Sequence, residues 1–480
     1  MRKEKWFEIA VLSASLFLGG CSVTQSLSTG GGTQPPPQPT AGTSTLSVTL
    51  SDAPPAGVSV LSFEVNITGA LLQPMVGADV SLLPGGDPVE IEVKKLETEA
   101  AVLSTLSAPA GTYKGLQLTL AHPALTVFNG SPSDIGACKV NTTCRFQPAA
   151  AGPITYTSAP FPLTLVAGTP VGLKIDILLN KIIATDLSVT LNDPSDFVVT
   201  ELTPVPVSGG PGRLDDNEFA GLITSIDATN NKFTVQNANS AMSETILAGT
   251  RTKFEDFDDH GCKTSNFSCL AVSQLVEVET TLQSDGSLIA KEVKLEESRG
   301  ARSLEGTLVS VTGAPPTQLQ MVVLDREGDD GGPRLGDALL VSITPTTTFD
   351  IQLGGLAVPA GGAFAGPGDL IPGQDLQIEP GTITAGPPIS TSTAHVHLHT
   401  SQFTATVSGV NGSAITVTKL PAIFGVATLT VQTSSATEFE DLLGPSSLTN
   451  GTVISVRGLL FKTATGPVVV AAKVRKRDND

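Results

Sequence analysis

Apolar and polar residues alternate with a period of two along most of this chain. Leu46-Ser-Val-Thr-Leu50 and Leu116-Gln-Leu-Thr-Leu120 are typical runs, punctuated at short intervals by Gly, Pro and Asn. Successive side chains of a strand point to opposite faces, so this alternation predicts strands with one buried and one wet face. One stretch, residues 94–106 (KKLETEAAVLSTL), has the composition of a helix, and a short helix between strands is expected there. Residues 45–206 read as one domain. Strands are predicted at 46–50, 58–67, 114–120, 161–166, 171–177 and 187–191, with Pro- and Gly-rich turns between them. About seven short strands with such turns predict an antiparallel β-sandwich. Asp52, in Asp-Ala-Pro-Pro, reads as a strand-end turn residue.

Beyond a linker at 207–217 the chain repeats itself, with units at 218–299, 302–400 and 402–478. Each opens with paired strands: Phe219 to Asp227 with Lys232-Phe-Thr-Val235, Leu304 to Val311 with Leu319 to Val323, and Phe403 to Val410 with Ala414 to Val417. Each continues with a Thr-x-Phe-acidic step: Thr252-Lys-Phe-Glu255, Thr347-Thr-Phe-Asp350 and Thr437-Glu-Phe-Glu440. Each closes with a further strand pair. A unit of this length suits a small independent domain rather than a solenoid repeat. The strand order resembles a small OB-like barrel, and the pattern resembles an uncharacterised repeat, domain of unknown function 5666. The second copy is degenerate, with a Gly/Pro/Ala-rich insertion at 354–368 expected to form a loose loop. In the first domain, the strand-plus-Ser51-Asp-Ala-Pro54 opening, the Pro109-Ala-Gly-Thr-Tyr113 turn and the Gly172-Leu-Lys-Ile-Asp176 strand resemble domain of unknown function 4382 of bacterial lipoproteins. That resemblance implies a β-sandwich and export, and no activity.

The N-terminus agrees with export. Residues 9–18 form an apolar run, and Gly19-Gly20-Cys21 follows it. Residues 1–20 resemble a lipoprotein signal peptide, with Cys21 as the lipid attachment point. The apolar run is too short for a permanent membrane span. Residues 21–44 are rich in Gly, Ser, Thr and Pro and read as a solvated tether. Ser22, rather than an acidic residue, resembles the default signal for outer-membrane sorting. Setting Cys21 aside leaves four cysteines in two local pairs, Cys138/Cys144 and Cys262/Cys269. In an exported chain these read as two small disulfide loops. A four-cysteine zinc site is the alternative, and the placement of the pairs in different domains weighs against it. The formal net charge of −18 argues against nucleic acid as a partner.

His395-Val-His397-Leu-His399 is the sharpest chemical motif. On a strand its three imidazoles share one face and could hold Zn²⁺, Cu²⁺ or Ni²⁺. Alignment on the first repeat places them opposite Glu292, Lys294 and Glu296, in slots expected to face solvent. The acidic runs Glu255 to Asp259 and Asp325 to Asp330 are calcium-friendly, and neither has a full twelve-residue calcium loop. No nucleophile elbow, zinc-protease motif or phosphate loop is present, so no enzyme is expected. These observations predict an all-β envelope lipoprotein: a tether, an N-terminal antiparallel β-sandwich and three small OB-like β-barrel repeats. It needs no cofactor and works as a non-catalytic binding, adhesion or scaffold protein. Its partners are then the membrane, through the lipid, and an envelope or extracellular protein or glycan. The alternative is a metal-binding envelope lipoprotein.

Overall fold

The computed structural model describes residues 42–477, apart from 53–58, 84–87, 99–100, 150–151, 185–186, 203–216, 238–242, 256, 258–261, 263, 284–286, 297–302, 327–331, 352, 354 and 441. The signal segment, Cys21 and most of the tether and linker lie outside the described residues.

The first unit contains β1 (Thr43–Asp52), β2 (Val60–Pro74), β3 (Val80–Ser81), β4 (Val89–Glu92), β5 (Ala101–Pro109), β6 (Gly111–Phe128), β7 (Thr143–Phe146), β8 (Ile154–Tyr156), β9 (Leu163–Leu165), β10 (Val171–Ile177) and β11 (Phe197–Leu202). One sheet has the order β11-β10-β1-β5; the other is built on β3-β2-β6-β7, with β4 added to β2 and β8 and β9 to β6. Leu46, Val48 and Leu50 alternate into the core between the sheets, where they join Phe63, Leu116 and Ile175. The sandwich is antiparallel except at β1 and β10, which run parallel with Leu46 beside Val171 and Asp52 beside Ile177. Parallel neighbours need a long crossover, and the chain from β2 to β9 supplies it, making the opposite sheet and the edge strand β5 on the way.

Three local expectations are corrected here. The strand expected at 187–191 is reduced to an isolated bridge between Val189 and Ile183. Residues 94–106 do not form a helix: Val93–Glu97 is a 3-10 turn, and β5 follows. Helix propensity loses to tertiary pairing, because β5 lies antiparallel to β1 with Leu106 opposite Leu46. Asp52 is no solvated turn residue. It is fully buried at the end of β1, and neither carboxylate oxygen has a hydrogen-bond partner.

Three barrels follow. The first is built from β12 (Asn217–Asp227), β13 (Lys232–Asn237), β14 (Ser243–Glu255), β15 (Leu275–Leu282) and β16 (Leu288–Glu296). The second uses β17 (Leu304–Gly313), β18 (Pro316–Arg326), β19 (Ala338–Ile351), β20 (Asp375–Pro380) and β21 (Ile389–His399). Both close in the same order, β12-β13-β14-β16-β15 and β17-β18-β19-β21-β20. The third contains β22 (Ser401–Asn411), β23 (Ala414–Thr418), β24 (Leu429–Gln432), β25 (Glu438–Glu440), β26 (Val453–Thr463) and β27 (Gly466–Lys476). Here the long third strand is split, and both halves, β24 and β25, lie parallel to β27. Gly221 and Gly306 occupy equivalent sites in the first two barrels. A Cβ there would stand 2.1 Å from Gln236 O and 2.2 Å from Val322 O, so the strands approach closely only because the side chain is absent.

The Thr-x-Phe-acidic step is a latch. In each barrel the threonine hydroxyl donates to a carbonyl of the last strand: Thr252 to Ala290 at 2.6 Å, Thr347 to Thr393 at 2.8 Å and Thr437 to Ala471 at 2.8 Å. The same oxygen accepts from the backbone three residues earlier, at Gly249, Thr344 and Ser434. The insertion at 354–368, expected to be loose, packs instead. Leu356 and Phe364 are buried in the core of the second barrel, and Phe364 meets Phe349 edge-on.

The units are locked together. Lys95 of the sandwich reaches Glu305 at 3.0 Å and Asp325 at 2.6 Å on the second barrel. Arg145 pairs with Glu64 of its own sandwich at 2.9 Å and reaches Asp337 at 3.2 Å across the same boundary. Lys291 of the first barrel bridges Glu279 and Glu438, and Arg477 donates to the Glu97 carbonyl. Leu459, Phe461 and Val470 of the third barrel join the core of the second.

Candidate metal centre

β19 and β21 run parallel, with Thr348 beside His395 and Asp350 beside His397. Val396 and Leu398 point into the barrel core, so the alternate residues His395, His397 and His399 face outward with Thr348 and Asp350. The same register recurs. Lys253 and Glu255 stand beside Glu292 and Lys294 in the first barrel, and Glu438 and Glu440 beside Lys473 and Arg475 in the third. Glu440 is clasped there by Lys473 and Arg475, each at 3.2 Å. The second barrel keeps the carboxylate and puts two imidazoles where the third has cations.

One oxygen of Asp350 lies 2.6 Å from His395 Nε2 and the other contacts His397 Nδ1; the three donor atoms fall within 4.8 Å of one another. Among the described residues this is the one cluster of three or more such side chains that could hold a metal ion. Burial pushes the Asp350 carboxyl up, but the His397 and His395 imidazoles beside it outweigh that and hold the group at about 2. Asp350 is therefore a carboxylate at any working pH.

The outer nitrogen of His395 is also occupied. Nδ1 lies 3.0 Å from the Thr348 hydroxyl, and that hydroxyl is placed to donate to Ala394 O at 3.3 Å. A hydroxyl has one proton, so when it donates to the carbonyl it accepts from Nδ1–H. His395 Nε2 then carries a lone pair. It is buried and has no aligned hydrogen-bond partner, although Asp350 Oδ2 is 2.6 Å away. Two lone pairs facing each other require a proton or a cation between them. Fixing one ring nitrogen through a hydrogen bond while the other faces the ion is the arrangement found around metal-ligating histidines. Thr348 and Asp350 were not singled out from the sequence beyond their place in the latch. The sequence signal that touches them is the recurrence of that step in all three repeats; its register against the last strand comes from the fold.

The expected solvent-facing histidine ladder is corrected. His397 is only 8 % exposed, and His399 is also largely covered, because the outer face of β21 is overlaid by neighbouring units. His397 and His399 line a polar cleft of about 290 Å³ where the three barrels and Lys95 of the sandwich meet. His399 stands apart from the cluster. Its Nδ1 is 3.9 Å from Glu305, and burial, with Lys294 and Lys95 nearby, pushes the ring down to about 3. It is a neutral imidazole at neutral pH.

Of the other candidates, Cys138–Cys144 and Cys262–Cys269 both form disulfides. Asp325 is taken by Lys95. Residues 256, 258–260 and 327–330 of the acidic runs lie outside the described residues, as does Cys21.

Comparison with known families places two of the three barrels. The family described as Domain of unknown function (DUF5666) matches residues 220–294 and 404–475, the first and third barrels. The histidine-bearing second barrel falls outside both matches. No curated protein matches the chain. Among solved structures, a copper(II) form of a CusF variant from Escherichia coli is 13 % identical, covering 17 % of this chain and 90 % of its own, with a TM-score of 0.13. Silver(I) CusF is 12 % identical, covering 17 % of this chain and 100 % of its own, with a TM-score of 0.14. Drosophila Unr CSD456 is 10 % identical over 55 % of this chain and 99 % of its own, with a TM-score of 0.13. At these TM-scores the likenesses assign neither function nor ligand.

Proposed function

We propose that this chain is an exported envelope protein, anchored through lipid on Cys21 and most consistent with the outer membrane, that acts by binding rather than catalysis. Its second barrel binds one divalent transition-metal ion through Asp350, His395 and His397. One observation carries the metal reading: two imidazoles from alternate positions of one strand converge on a single carboxylate of the next, with Thr348 holding the outer nitrogen of His395. Imidazole and carboxylate donors suit Zn²⁺, Ni²⁺ and Cu²⁺. Calcium would want six or more oxygens, and the cluster offers two. The two disulfides support an oxidising compartment. A scaffold or adhesion role toward an envelope or extracellular protein or glycan is the second reading, favoured by the cross-domain ion pairs that hold the units side by side.

Competition of the purified protein against a chromogenic chelator for Zn²⁺ tests the metal reading. One equivalent should bind at least about 100-fold more tightly than in the H395A/H397A double variant, since two of three ligands are lost. Equal binding by the two proteins would remove the metal from the function.

A further inference from the structure

We infer that the ion held by Asp350, His395 and His397 keeps one coordination position open, and that this position takes a small anionic donor such as a carboxylate or hydroxide. The inference rests on the metal reading above and adds to it what the site can exchange.

Three protein donors leave a four-coordinate ion one short, and the neighbouring groups are committed elsewhere. The Thr348 hydroxyl is held between His395 Nδ1 and the Ala394 carbonyl, on the far side of the ring. Thr393 Oγ1 is occupied by the backbone of His395. His399 is the nearest further imidazole, its ring 5.2 Å from that of His397, but it is not among the residues whose donor atoms converge. No other described His, Cys, Asp or Glu joins the cluster. Structural zinc sites close themselves with four protein ligands, whereas sites with three keep a position for water or substrate.

Access and charge agree. The Asp350 side chain is 46 % exposed and His397 lines the inter-barrel cleft, so solvent and small solutes can reach the ion. A divalent ion with a single carboxylate keeps one net positive charge. The cations closest to His399 are already matched, Lys95 by Glu305 and Asp325 and Lys294 by Glu277, and within its own donor set the ion keeps that positive charge. An anionic fourth ligand neutralises it.

The test uses Co²⁺, whose visible absorption reports its coordination, bound to the full-length protein in detergent, with azide as the probe. The expected result is an absorption band that shifts saturably with azide in the wild-type protein and equally in H399Q. A wild-type band that azide does not move, with the response appearing only in H399Q, would mean that His399 closes the site and would overturn the inference while leaving the metal reading intact. If wild type and H395A/H397A both lack the band, the metal reading and the open position fall together.

Discussion

At the residue scale, Asp350 organises the site and Thr348 holds the outer nitrogen of His395. Replacing Thr348 by Val keeps the shape but removes the partner of His395 Nδ1. Losing such a supporting hydrogen bond typically weakens metal affinity 10- to 100-fold. T348V should therefore bind Zn²⁺ at least about tenfold more weakly in the same competition assay; unchanged affinity would show that the tautomer is not set there. A second residue-scale prediction concerns Asp375, buried beside Thr307. Burial pushes its carboxyl up to about 7, with the Thr307 hydrogen bond opposing and Glu305 adding to the rise. A carboxyl raised in the folded state contributes stability below its ordinary value near 3.8 and loses it as pH rises through about 7. D375N retains an acceptor for Thr307 and does not ionise. Relative to wild type it should gain more than about 1 kcal/mol between pH 5 and pH 8, one pKa unit's worth, in metal-free denaturant titrations. A difference that does not change with pH would contradict the burial argument. The histidine spacing was legible in the sequence because a strand's period of two is local. Asp350 was not, because its place beside His397 depends on parallel pairing between strands separated by dozens of residues.

At the element scale, the alternation of apolar and polar residues named the longer strands but not the short ones or β5, and the repeated Thr-x-Phe-acidic step named the same corner three times. What it could not name was the function of that corner: a hydroxyl latch that aims an acidic residue at the last strand. The helix expected at 94–106 failed for a related reason, since β5 takes its conformation from β1 across the sheet rather than from its own Ala and Leu content. The shared register makes the site transferable. In the third barrel Glu440, Lys473 and Arg475 stand where the second has Asp350, His395 and His397. The E440D/K473H/R475H variant should bind a second equivalent of Zn²⁺, read by the same chelator competition. A stoichiometry that stays at one in a folded variant would mean that strand register alone does not build the site.

At the scale of the whole molecule, the sandwich and barrels form one locked body, and this was the least legible property of the sequence. Ion pairs such as Lys95 with Glu305 and Asp325 join residues more than two hundred positions apart. They also explain why the histidines are covered rather than solvent-facing: the outer face of one barrel is the floor of a cleft built by its neighbours. K95M leaves the half-buried Glu305 and the half-exposed Asp325 without their cation. It should destabilise the junction by about 1 kcal/mol, well below the cost of stranding a fully buried charge because solvent screens the pair, and limited proteolysis should then cut between the sandwich and the second barrel faster than in wild type. Identical digestion would show that the ion pairs do not hold the units. The account depends most on the ion itself. Crystals grown with Zn²⁺ and measured at its absorption edge test it most directly. An anomalous peak about 2.1 Å from Asp350, His395 Nε2 and His397 Nδ1 is predicted. Peaks elsewhere, with this cluster empty and Asp350 bonded directly to the two imidazoles, would reduce the site to the histidine version of the third barrel's ion pair.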